Sequence, residues 1–174
     1  MATQQGTDIV QILEDSRAEL NSALRDLQEA HEKLAPADRW SALDCVEHVA
    51  TVEERFLGRL EAAGRSENPR MDADREAQLS ARVSSRADRF VAPEAVRPTG
   101  RFATVAEALT HFNAVRTRTL NFATDHSADL YYLSVEHPRF GVMNGVEALR
   151  VMAGHACRHA AQIRELREGL ASGQ

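Results

Sequence analysis

Two of the chain's seven histidines, His155 and His159, stand four residues apart in the stretch HACRHAAQIREL. On a helix, four residues advance about 6 Å and turn about 40° past a full turn, so two imidazoles at this spacing converge on one point beside the helix. Neutral imidazole is a common metal ligand, and a third one would complete the protein side of a catalytic zinc site, which keeps a fourth position open. His48, in LDCVEHVATVEERFL, supplies that third candidate. It lies on the shoulder of an apolar stripe. If the N-terminal half of its helix faces the C-terminal half of the helix bearing His155 and His159, all three rings reach one depth. A plainer account of the pair stays open, in which buried histidines are satisfied by backbone carbonyls.

Around this triad, several residues admit two roles. Gln162 follows His159 by three and shares its face, where its amide would either orient a ligand or a metal-bound water, or make an interhelical hydrogen bond. Cys45, one turn before His48, is a fourth ligand, a reactive thiol or a small buried residue, and its compact apolar character favours the last. Arg158 lies off the histidine face, as a surface or interhelical ion-pair partner. Cys157 points away from its flanking histidines, into packing. His137, in the HPRFG turn, is within reach of the mouth of the site or is a solvent-exposed loop residue. Asn113 and Arg116 sit close to an apolar stripe, at a bundle edge or against an anionic group. Glu47 and Glu53 flank His48 on other faces, so neither is placed as its acid or base. Trp40 reads as an apolar residue stapled across a helix start.

The elements that must position these residues are helices. Ala, Leu, Arg and Glu dominate, only 5% of residues are aromatic, and Gly and Pro are sparse, which favours helix throughout. Asp8 with Gln11, Ser41 with Asp44, Thr104 with Glu107 and Asn144 with Glu147 each open an amphipathic segment with capping chemistry. The four helices run to about Leu34, where Pro36 follows, to Ala63 before Gly64, to Asp125 and to Gly169. Apolar residues recur at helical spacing, as in Leu43, Val46, Val49, Phe56 and Leu60. Between Gly64 and Ala103 a short helix over Asp72 to Arg86, with a charged solvated face, precedes the irregular APEAVRPTG. No strand-like alternation is evident. The pattern predicts an all-α, four-helix bundle with a long crossover between its second and third helices, and a single domain over residues 1–174.

Composition limits the partners. A net charge of -5 gives no footprint for nucleic acid. No apolar run approaches a membrane span, and MATQQGTDIVQ lacks the pattern of a signal peptide, so a cytoplasmic protein is expected, with Cys45 and Cys157 as free thiols.

The stretch WSALDCVEHVATVEERFL, from Trp40 to Leu57, followed by RFVAPEAVRPTGRFATVAEALTHFNAVRTRTLNF and HPRFGVMNGVEALRVMAGHACRHAAQIREL, resembles the DinB superfamily, in particular its larger DinB-like branch. The shared marks are a tryptophan opening the second helix, a histidine eight residues later and HxxRHxxQI in the last helix. The resemblance implies an up-down-down-up bundle, with zinc or nickel held by His48, His155 and His159. It further implies metal-dependent transferases or isomerases that use low-molecular-weight thiols, or hydrolases, acting on small-molecule substrates and often as homodimers. Many such proteins have no assigned activity. Three classes stay open: a metal-dependent enzyme, a non-catalytic metal-binding or stress-response protein, and a bundle with packed histidines. The open fourth position favours the enzyme.

Overall fold

The computed structural model describes residues 2–87 and 90–172, with side chains from Asp8 onward. In chain order it places helix α1 (Ala2–Leu24), α2 (Ala42–Glu61), strand β1 (Gly64–Arg65), α3 (Ala73–Ser84), α4 (Val105–Asp125), β2 (Leu133–His137), β3 (Gly141–Met143) and α5 (Gly145–Ala171). The start of α2 is set by a reciprocal cap. Asp44 N donates to Ser41 Oγ at 3.2 Å, and Ser41 N donates to Asp44 Oδ2 at 2.9 Å. Asn144 and Glu147 repeat it at α5, with bonds of 2.8 and 3.0 Å, and Thr104 Oγ1 accepts from Glu107 N at 3.2 Å to open α4. Each cap satisfies N–H groups that a helix leaves unpaired, which is why these three starts fall where the sequence places them.

The first helix departs from expectation at both ends. Asp8 lies inside α1 and not at its cap, and its carboxylate meets Arg150 at 2.8 Å. The helix stops at Leu24, well short of Leu34, because Asp26 adopts a left-handed φ of 58° that aspartate tolerates better than most residues. The chain then doubles back through a 3-10 turn at Glu29–His31. Glu32 ties this return to two helix starts, its backbone oxygen accepting from Leu43 N and its carboxylate from Val105 N, both at 3.0 Å.

Side-chain contacts fix the helix directions. Asp8 with Arg150, Glu19 with Arg164 and Ala23 O with Arg167 rise together, so α1 and α5 are parallel. Glu54 with His111 and Glu61 with Arg118 do the same for α2 and α4, whose shared direction requires the long crossover. Between α1 and α4 the order reverses, with Ser16 on Arg116 and Asn21 on Asn113. The bundle is therefore up-down-down-up, as the resemblance implies.

Helix α3 lies where expected, but its charged surface is not wholly solvated. Glu76, Leu79 and Val83 are buried, and Arg75 Nε donates to the buried Glu147 at 2.8 Å. It crosses α5 at Gly154, where an added Cβ would stand 3.0 Å from Ser80 O. With α1, α2 and α3 all packed on it, α5 buries residues around most of its circumference from Gly145 to Ala160.

The three strands are a second departure, since no alternation predicted them. They form an antiparallel sheet in the order β1-β2-β3, with Gly64 opposite Ser134 and Val135 opposite Met143. Strands of two to five residues are too short to carry a period of two that stands out from chance.

Apolar side chains gather in two clusters, one around Leu13, Phe56, Leu60 and Met152, the other around Leu20, Val46, Phe112 and Ile163. A polar layer of Ser16, Glu53, Arg116 and Thr119 joins α1, α2 and α4. Among the described residues no helix is long and apolar enough to cross a membrane.

Candidate metal centre

His48 comes from the N-terminal half of α2, and His155 and His159 come from consecutive turns of α5. Because these two helices are antiparallel, their opposite halves meet, and the three rings converge. His155 Nε2 lies 3.1 Å from His48 Nε2 and 3.2 Å from His159 Nε2, with ring centroids 4.6–4.9 Å apart. Among the described residues, this is the group of histidine, cysteine or acidic side chains whose donor atoms could hold one ion. Two nitrogens bound to zinc at 2.0–2.1 Å with tetrahedral geometry stand about 3.3–3.4 Å apart, so the observed spacings are close to those a shared ion requires.

The donor chemistry fits as well. Burial pushes the His48 pKa down, against the pull of its carbonyl partner, and burial with the neighbouring imidazoles and Arg158 pushes His155 and His159 well below the usual histidine value. Neutral rings present lone pairs, the form that ligates. His48 Nδ1 lies 2.6 Å from Val96 O. A carbonyl only accepts, so that nitrogen carries the proton and Nε2 is left with its lone pair toward the other rings. His159 Nδ1 is buried and, among the described residues, has no hydrogen-bond partner. Nitrogen lone pairs that face each other across 3.1–3.2 Å repel unless a proton or a cation lies between them. Of the three, His155 is half-buried, whereas His48 and His159 are buried.

The other sequence candidates take separate places. Gln162 Oε1 accepts from Arg86 Nη1 at 3.4 Å, a link from α5 to the segment that follows α3 and not to another helix, and among the described residues no hydrogen bond joins it to the triad. Cys45 is fully buried in the apolar cluster, where burial pushes its thiol pKa strongly up, and it does not belong to the converging group. Cys157 is half-buried, and both cysteines are free. Arg158 is buried, with its guanidinium 4.4 Å from the Phe90 ring centroid, a correction to any placement on the surface. His137 packs on Phe140 and Phe56 and accepts backbone N–H groups from Arg139 and Phe140, so it organises the β2–β3 hairpin.

Glu53 and Glu47 are both engaged away from the imidazoles. Glu53 binds Arg116 through bonds of 2.6 and 2.7 Å, which places Arg116 in the core and not at a bundle edge. Glu47 accepts from the crossover, at Thr99 and Arg101. Asn113 bonds Arg17 and Asn21.

Two contributors escaped the sequence. Trp40 does more than staple a helix start: its ring lies 4.7 Å from that of His48 and stacks at 21° and 6.1 Å on that of His159, walling the cluster. Its position eight residues before His48 was a visible signal. The Val96 carbonyl was not, since a main-chain oxygen has no residue identity.

No curated protein matches the chain. The family model for the DinB superfamily matches residues 7–163, a span that takes in α2 and α4 whole, most of α1 and α5, and all three converging histidines, and the chain belongs to that superfamily.

Proposed function

We propose that His48, His155 and His159 bind one divalent ion, zinc or nickel, and that the protein is a metal-dependent enzyme. The chemistry is transfer of a low-molecular-weight thiol to a small electrophile, or hydrolysis. The supporting observation is the approach of the three Nε2 atoms at 3.1 and 3.2 Å, from rings held neutral by burial. An ion held by three imidazoles lowers the pKa of water or thiol at its open position, so that a nucleophile exists near neutral pH. The chain contributes the rest. Val96 O and the ring of Trp40 orient the imidazoles, and the half-buried edge of His155 marks where a small molecule enters.

One observation favours the alternative of a non-catalytic metal-binding protein: Asp44, Glu47 and Glu53, the acids of α2 around His48, are all committed to other partners, which leaves none of them as a general base. Turnover separates the two. The chain has one tryptophan, and it lies against two of the three rings, so quenching of its fluorescence by nickel reports binding directly. Titration should end at one ion per chain. The loaded protein is then assayed against pairs of thiol and electrophile and against esters and amides. Saturable dependence on thiol supports transfer, and thiol-independent activity supports hydrolysis. Tight binding without either supports the non-catalytic alternative, and absence of any binding removes both.

A further inference from the structure

The crossover between α2 and α4 is held over the triad by the residue beside His48. Glu47 is 3% exposed, and its carboxylate accepts three hydrogen bonds: from Thr99 N at 2.6 Å, Thr99 Oγ1 at 3.2 Å and Arg101 N at 3.0 Å. All three donors belong to the crossover, more than fifty residues along the chain. The same crossover delivers Val96 O to His48 Nδ1 at 2.6 Å. Around the first anchor point in the chain, Val96, the backbone has little freedom. A 3-10 turn covers Glu94–Val96, with Val96 N and Arg97 N bonded to Pro93 O and Glu94 O at 3.0 and 3.1 Å, and Pro98 fixes the next dihedral.

A buried carboxylate is tolerated only while donors meet its charge. Since Glu47 finds them in the crossover, withdrawal of that segment would strand the charge, and the segment stays. Adjacent residues on a helix point about 100° apart, so Glu47 and His48 grip the strap from two directions, one at its N–H groups and one at a carbonyl.

We infer that Glu47 is a positioning residue for the metal centre, locking the crossover so that Val96 O holds His48 as the Nδ1–H tautomer with its Nε2 turned to His155 and His159. The consequence for metal affinity rests on the triad being the metal site; the consequence for the tautomer rests on geometry alone. A carboxylate that merely stapled a loop would leave the ring nitrogens of His48 unaffected.

Nitrogen chemical shifts of His48 in metal-free, ¹⁵N-labelled protein give the tautomer, and competition with a chelator gives zinc affinity on the same samples. The wild type should show a single Nδ1–H tautomer. Glu47→Ala should show a mixture of tautomers and bind zinc about 10–100-fold more weakly, the usual loss when an outer partner of a ligating histidine is removed. Glu47→Gln keeps an acceptor for one of the two N–H groups and should fall between. Glu61→Ala, which removes an exposed carboxylate from the same helix that meets Arg118 and not the crossover, should match the wild type. A wild-type tautomer and affinity in both Glu47 variants overturns the inference. If Glu47→Ala does not fold, Glu47→Gln decides on the same criterion. If the wild type binds no zinc, the metal site fails, and the tautomers still judge Glu47.

Discussion

Two of the polar clusters buried in this bundle are finished to different degrees. In the layer built on Arg116 and Glu53, each guanidinium nitrogen and both carboxylate oxygens have partners, from Leu13 O and Ser16 Oγ in α1 to Thr119 Oγ1 in α4. The opposite charges meet, and nothing further is needed. About five residues away along α2, the histidine cluster turns three nitrogens of one kind toward each other and leaves His159 Nδ1 without a partner among the described residues. Burial costs both clusters desolvation, and only the first offsets that cost within the chain. A buried polar group that the fold completes is part of the structure; one that the fold leaves incomplete is arranged for something that arrives later.

The largest loss of stability should come from the finished cluster. Arg116→Ala leaves the Glu53 charge buried and unpaired, and should lower unfolding free energy by about 3–5 kcal/mol in a denaturant titration. Replacing Arg116 and Glu53 together by apolar residues of similar volume should recover most of that loss, because no charge is then stranded. A small effect of the single change would show that the pair is not the closed unit described.

The histidine cluster should answer in the opposite sense. In metal-free protein, His159→Leu keeps roughly the side-chain volume and removes a buried nitrogen with no partner among the described residues, so stability should be unchanged or higher by about 1 kcal/mol. The same change should abolish the stabilisation that zinc gives the wild type, which at a hundredfold excess over Kd amounts to about 2.7 kcal/mol. Calorimetry with and without zinc reads both. A His159→Leu protein that is markedly less stable without metal would place the triad with Arg116, as structure.

His137 sharpens the contrast at the smallest scale, being a histidine whose role the fold does complete. Its pKa is pushed down to about 4 by burial and by Arg59 and Arg139, from an ordinary value of 6.5. Its Nδ1 already accepts two backbone N–H groups and cannot take a proton without losing them. The folded pKa is below the unfolded one, so the unfolded chain gains its proton first as pH falls. Its contribution is full above about pH 6.5 and is lost on the way down to about pH 4. The loss should be the same with or without metal. A His137 resonance that titrates near 6.5 in the folded protein would contradict this.

Helix starts were legible because capping is local chemistry: Ser41 with Asp44 and Asn144 with Glu147 need only each other. The end of α1 was not, because Pro36 offered a stronger stop than Asp26, whose left-handed turn is stabilised by where the returning segment docks. The small sheet was hidden for a related reason. Gly64 and Arg65 become a strand only when Leu133 and Ser134 arrive from seventy residues away. At the site, the spacing of His155 and His159 follows from helix geometry, His48 is a candidate from its place beside an apolar stripe, and the resemblance joins the three. What holds His48, the carbonyl of Val96 under the grip of Glu47, depends on the path of an irregular crossover that no periodicity describes.

A crystal of zinc-loaded protein measured on both sides of the zinc absorption edge tests most directly whether the triad is a metal centre. One anomalous peak should lie about 2.0–2.1 Å from Nε2 of each of His48, His155 and His159, with a fourth position taken by a non-protein ligand. Zinc bound elsewhere on the chain, or a peak that only two of the three imidazoles reach, would contradict it.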